Sequence, residues 1–156
     1  MNFFSEKICV FPFITKEPAK RTSVNRVVGT LETKAVTSVK KETIKACLID
    51  KVIPTIKAKW PREDFQHPIF LQQDNARTHI DPNDEEFRQA ATKEGFDIRL
   101  MCQPTNSPDL NVLDLGFFSA IQFVQCKEAP KNIDDLVNPV EKSFEAFSTT
   151  KSNYTF

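Results

Sequence analysis

The chain has 156 residues, 40% of them apolar and 27% charged, which is one domain's worth of chain with material for a core and a composition unlike a disordered polymer's. No apolar run approaches the roughly 20 residues that cross a bilayer, and the opening MNFFSEKICVFPF lacks the basic start and long apolar middle of a secretory signal. The net charge of zero hides an asymmetry, because residues 1–60 hold 12 Lys and Arg against 5 Asp and Glu while residues 61–156 hold 9 against 16.

In chain order, KICVFPFI (Lys7 to Ile14) reads as a strand, with Pro12 marking an edge or an end. TKEPAKRTSVNRVVGTLETKAV reads as a long loop with one short strand. Ser38 is the expected cap of a helix from Val39 to about Lys59, whose Ile44, Leu48, Ile49, Val52, Ile53 and Ile56 fall on one stripe. Pro54 should kink or break that helix near its end. Ile69 to Gln73 is the next strand. Asp81 is the expected cap of a second helix, with Pro82 at its first position, Asp84, Glu85 and Glu86 at its positive end and Gly95 as the stop. Asp97 to Gln103 reads as a strand, and LNVLDLGFFSAIQFVQ after the PTNSPD loop reads as helical. Asn132 caps a last helix, with Ile133, Leu136, Val137, Val140, Phe144 and Phe147 on one face.

Strand, helix, strand, helix is an α/β order, and α/β proteins place their sites at the carboxyl ends of strands. Asp74 stands at such an end. So does the loop from Gln103 to Pro108, which leads to Asp109, Asn111 and Asp114. If the two strands are neighbours, Asp74 and the helix after Pro108 meet. Asn111 and Asp114 then share a helix face while Asp109 points elsewhere. Two carboxylates about 4 Å apart repel by roughly 4 kcal/mol at an effective dielectric of 20, so their convergence calls for a cation. All-oxygen ligands suit Mg²⁺ or Mn²⁺, and paired metals of this kind serve phosphodiester chemistry. Taken singly, Asp74 also reads as a loop-capping aspartate and Asp114 as a solvated helix residue.

The two motifs read together resemble a known family. QQDNARTH followed by QPTNSPDLNVLDLGFF is similar to the catalytic region of mariner-type transposases, above all their plant mariner-like branch, down to the 39 residues between Asp74 and Asp114. AKRTSVNRVVGTLETKAV and IDKVIPTIKAKWP are similar to segments that precede that family's second aspartate, so the resemblance runs from about Lys7 to Phe147. It implies a ribonuclease-H-like core, in which a mixed sheet flanked by helices holds three carboxylates around divalent metal, Mg²⁺ or Mn²⁺. It also implies the chemistry of cutting DNA at transposon ends and joining the freed 3′ hydroxyl to target DNA, with a nuclear location. Asp74 takes the place of the second metal ligand and Asp114 of the third, where many relatives carry Glu. Asn75, Asn111 and His79 match motif positions that support the site. His79 suits the orienting of a ligand or phosphate and suits an ordinary structural role equally.

The chain also departs from that pattern. The family's first catalytic aspartate lies on a strand upstream of anything resembling EKICVFPFI, whereas the first aspartate here is Asp50, inside an expected helix, and the family's helix-turn-helix DNA-reading region is absent. The expectation is therefore a single partial domain over residues 1–156, lacking its first strand. It should bind metal weakly, cut little or no DNA alone, and expose apolar edge surface that favours self-association, a homodimer being one form of it, or instability.

A binding module is the opposing reading. In it Lys16, Lys20, Arg21, Arg26, Lys34, Lys40, Lys41 and Lys45 grip a nucleic-acid backbone without chemistry and release it as salt rises. The charge asymmetry fits this, and fits equally two solvated faces that neutralise each other. Three glycines leave no phosphate-cradling G-x-x-x-x-G-K or G-x-G-x-x-G loop, and there is no G-x-S-x-G elbow. Cys9, Cys47, Cys102 and Cys126 lie far apart and read as buried free thiols rather than disulfides or zinc ligands.

Overall fold

The computed structural model describes residues 8–64, 67–105, 122 and 130–146. These form a mixed α/β arrangement with two separate two-stranded sheets.

The first sheet is a hairpin of β1 (Ile14–Pro18) and β2 (Leu31–Ala35), antiparallel with Ile14 opposite Ala35 and Pro18 opposite Leu31. The strand expected over Lys7–Ile14 is thus displaced, since β1 starts where that segment ends. Pro12 offers no N–H to a ladder, and its carbonyl instead accepts the Ile14 N–H at 3.1 Å, turning the chain. The long connection between the strands is held by its own hydrogen bonds: Ala19 N–H to Thr30 O at 2.8 Å, and Gly29 N–H to Ala19 O at 2.9 Å. Gly29 sits at φ 89°, where a side chain is strained although open space surrounds the position. Ala19 is buried, but Val24, Val27, Val28 and Leu31 are exposed, Val24 completely.

A helical run comes next: α1 (Lys41–Cys47), a π turn over Leu48–Val52, and α2 (Ile53–Lys59). Its cap position is Lys40, so Ser38 lies outside the helix. Pro54 does not break the run. It lacks the N–H that a regular turn requires, and the helix widens just before it, the Ile53 N–H reaching back to Leu48 O. Ile53 and Ile56 are buried, with Leu48 and Val52 packed beside them, so these four of the expected stripe face the core, while Ile44 and Ile49 are half-buried outside that cluster.

The core closes on a strand–helix–strand unit. β3 (Ile69–Gln73) runs parallel to β4 (Ile98–Cys102), pairing Ile69 with Ile98 and Leu71 with Leu100. Ile69, Ile98 and Leu100 point to the helices, while Phe70, Arg99 and Met101 alternate to the exposed face. Between the strands, α3 (Glu85–Thr92) buries Phe87 and Ala91, one turn apart. Asp84 caps it, accepting the Phe87 N–H at 3.1 Å. Asp81, the expected cap, holds the preceding turn instead: its carboxylate accepts the Asn83 N–H and its carbonyl the Asp84 N–H. Glu94 at φ 63° and Gly95 at φ 79° then reverse the chain into β4.

Lys57 of α2 closes the far end of α3. Its ammonium donates to the carbonyls of Ala90 (3.1 Å) and Lys93 (2.9 Å) and lies 5.6 Å from the centre of the Phe96 ring. The last described element, α4 (Ile133–Ala146), starts as expected at Asn132, whose side chain accepts the Asp135 N–H at 2.8 Å. It meets the hairpin where the Thr33 hydroxyl donates to Asp134 at 2.7 Å. Ile133, Leu136, Val137, Val140 and Phe144 are half-buried on one side of α4. The helix expected over Leu110–Gln125, apart from Gln122, and Phe147 lie outside the described residues. Cys9, Cys47 and Cys102 are free thiols as expected, but Cys9 and Cys102 are exposed rather than buried. Cys126 lies outside the described residues. Among the described residues no helix is long and apolar enough to cross a membrane.

Candidate functional site at the ends of the parallel strands

Asp74 leaves the carboxyl end of β3, and two successive turns shape the chain beyond it. First, the Asp74 Oδ1 accepts the N–H of Ala76 at 2.7 Å, an aspartate turn. Second, the His79 N–H donates to Ala76 O at 3.0 Å, closing a tight turn over Arg77 and Thr78. Together they bring the His79 ring back onto Asp74. Its Nδ1 lies 3.0 Å from the Asp74 carbonyl oxygen and 3.0 Å from Oδ1. This is how a histidine five residues downstream comes to touch the aspartate.

Amide side chains fix the loop to the sheet. Asn75 donates its side-chain N–H to the Gln103 carbonyl at 2.8 Å, and the Gln103 N–H donates to Gln73 O at 2.8 Å. Gln73 in turn donates from Nε2 to the Ile80 carbonyl at 2.7 Å, and the buried Ile80 side chain anchors the loop in the core. The loops leaving β3 and β4 are therefore joined. Gln73 and Gln103 are not among the expected site residues. The sequence signal for them is modest: amides next to an aspartate at a strand end, able to satisfy loop carbonyls.

The Asp74 side chain is 53% exposed and that of His79 25%. Among the described residues nothing donates to Asp74 Oδ2, which leaves one hard carboxylate oxygen open. That oxygen suits a hard divalent cation, but it is a single ligand. Among the described residues no group of three or more His, Cys, Asp and Glu is placed to hold a metal. Asp109, Asn111 and Asp114 lie outside the described residues, so the structure brings together Asp74, Asn75 and His79 of the expected set. Asp50, the first aspartate of the chain, is exposed in the π turn and lies on no strand.

The basic candidates divide into two groups. Arg26 is paired with Glu32, Lys34 with Glu17 at 3.0 Å, and Lys45 with both Asp84 and Glu86 at 2.9 Å. Glu86 and Asp84 beside Lys45 push its ammonium above its ordinary range. The Lys45 ammonium, and after it the Phe87 N–H, hold the Asp84 carboxyl below the usual carboxylate range. Lys45 and Lys57 both pair with acids of the other half of the chain, Lys57 with Glu94 at 4.0 Å. Part of the charge asymmetry is thus neutralised internally. Lys16, Lys20, Arg21, Lys40 and Lys41 are exposed, on the hairpin and at the start of α1.

No family model matches the chain, and no curated protein or solved structure matches it either.

Proposed function

We propose that this chain carries the second and third carboxylate positions of a ribonuclease-H-like transposase core of the mariner type. In this reading Asp74 and Asp114 hold Mg²⁺ or Mn²⁺ beside DNA, and the chain by itself cuts little or no DNA. One observation carries it: a half-exposed aspartate at the carboxyl end of a parallel strand, with its loop tied to the loop that leads toward Asp114. The unit β3–α3–β4 is a parallel strand–helix–strand unit with Asp74 just past the end of its first strand, which is compatible with a sheet flanked by helices. The strand that would carry a first aspartate and join the sheet is not among the described residues. When bound, the metal would supply Lewis acidity toward a phosphodiester.

The second reading, non-catalytic binding of a nucleic-acid backbone, is favoured by the exposure of Lys16, Lys20, Arg21, Lys40 and Lys41. One plasmid experiment separates the two. The chain is incubated with supercoiled DNA across a salt series, with and without Mn²⁺, beside Asp74→Asn. Retention that Mn²⁺ strengthens in the parent but not in Asp74→Asn supports the transposase reading. Retention that falls steeply with salt and ignores both Mn²⁺ and the substitution supports the binding module.

A further inference from the structure

The connection between β1 and β2 is an ordered, exposed knuckle. Ser23 and Arg26 exchange both main-chain hydrogen bonds, at 2.8 and 3.2 Å, closing a two-residue turn over Val24 and Asn25. The Thr30 N–H donates to Val27 O at 3.2 Å and closes a second turn over Val28 and Gly29. Gly29, at φ 89°, takes the position of that turn that asks for positive φ. Thr22 Oγ1 accepts the Val28 N–H at 3.1 Å and ties the two turns together. On this backbone Val24, Val27, Val28 and Leu31 are each more than half exposed. From Ala19 to Leu31 there are three basic residues, Lys20, Arg21 and Arg26, and no acid. Arg26 is paired with Glu32, while Lys20 and Arg21 are exposed. A single exposed apolar residue is ordinary, but four of them on one preorganised connection fit a contact surface.

A surface that complements the knuckle lies on the same chain. A cavity of about 410 Å³ is bounded by the residues before β1, the end of α2 and the end of α4. Ile8, Val10 and Phe144 give it half-buried apolar walls. The exposed Glu141 and Glu145, one turn apart on α4, line it together with Lys59, whose ammonium donates to the Ile8 carbonyl. Two carboxylates against one ammonium leave it acidic on balance. Two other grooves have the opposite sign. The one between α2 and α3 carries Lys57 and Lys93 with Glu94, and the one beside β4 carries Arg88 and Arg99 with Asp97. Val24 is completely exposed, so the knuckle does not fill the cavity of its own chain.

We infer that the knuckle of one copy docks into this cavity of a second copy. The valines meet Ile8, Val10 and Phe144, and Lys20 and Arg21 meet Glu141 and Glu145. A nucleic-acid backbone takes the basic residues but leaves the valines in water, so a second copy accounts for more of the surface. The contact joins two unlike surfaces, and two copies close it by making it twice. It is independent of whether Asp74 holds a metal.

Sedimentation equilibrium of the full chain, free of DNA, tests it. The mass should rise above that of one copy as concentration increases. Two double variants change only exposed positions and leave the core intact: Val24→Asp/Val28→Asp in the knuckle and Glu141→Lys/Glu145→Lys at the cavity. Each alone should weaken association at least about tenfold, the first by placing charge in an apolar contact and the second by setting like charges face to face. Mixed in equal amounts, the two variants still offer one intact knuckle and one intact cavity, and a one-to-one complex should form. A parent that stays single throughout the series overturns the inference. So does association that survives Glu141→Lys/Glu145→Lys, because the valines then meet some other surface. Association that appears only when duplex DNA is added overturns it too and gives the knuckle to nucleic acid. Variants that stay apart when mixed also overturn it.

Discussion

Asn75 and Gln103, 28 positions apart, are joined by a hydrogen bond of 2.8 Å from the Asn75 side-chain amide to the Gln103 carbonyl. That bond fastens the loop after β3 to the loop after β4. Asn75→Ala removes it at an exposed position, where a hydrogen bond contributes about 0.5–1.5 kcal/mol. Urea unfolding should register a loss of that size. An unchanged midpoint would mean that the two loops are not tied in solution.

Core packing gives the largest expected effect. Phe87 is 1% exposed and stands against Ile56, Ile80, Ile98 and Leu100 in one cluster. Phe87→Ala should cost about 3–5 kcal/mol, a large share of the roughly 5–15 kcal/mol that typical domains possess. Val24→Ala, at a fully exposed site in the hairpin connection, should stay within about 0.5 kcal/mol. Circular dichroism under denaturant checks both.

Lys57 is 11% exposed and caps α3 through two carbonyls. Lys57→Met keeps the stem and deletes the donors, leaving the part-buried Ala90 carbonyl without that partner, while the exposed Lys93 carbonyl keeps the Phe96 N–H. The expected cost is about 1–3 kcal/mol, and each kcal/mol moves the thermal midpoint of a domain this size by roughly 2–4 °C. Calorimetric unfolding reads it directly, and an unshifted midpoint would remove the helix-end role.

The Lys45–Asp84 pair gives a pH signature. The Asp84 carboxyl is held low, chiefly by the Lys45 ammonium and then by the Phe87 N–H. A carboxyl lowered by folding adds stability that is present above its unfolded value of 3.8 and is lost as pH falls through the lower folded value. Lys45 is raised, so its share is present below 10.5 and is lost as pH rises through the higher folded value. Asp84→Asn retains a good helix cap but should flatten the acid side of the stability profile below about pH 4. Denaturant midpoints on both sides of that pH check this.

How much of the fold is legible in the sequence depends on range along the chain. Ile69–Gln73 and the Asn132 cap can be read because a short apolar run and a cap residue act within a few positions. Asp81 and Asp84 are three residues apart around Pro82, and both offer cap chemistry. Which one starts the helix is decided by where Phe87 must sit to reach the core. The π turn is not legible, since Pro54 signals a missing hydrogen bond without saying whether the helix ends or widens. The hairpin is half legible, because its strands are mostly exposed and give weak alternation. At the site, Asp74 at a strand end and His79 nearby are readable from QQDNARTH. The bond that unites them needs two consecutive turns, and the reach of Asn75 to Gln103 needs the pairing of β3 with β4. The chemistry of the resemblance extends further, to Asp114, and is a proposal.

The central claim is that Asp74 and Asp114 belong to one metal site. The most direct measurement is a Mn²⁺ titration by calorimetry of the purified chain beside its Asp74→Asn/Asp114→Asn double variant, with unfolding curves to show that both are folded. The predicted result is weak binding by the parent that disappears in the variant. No binding by the parent, or equal binding by both, would contradict it and leave the exposed lysines and arginines of the hairpin and α1 as the basis of any function.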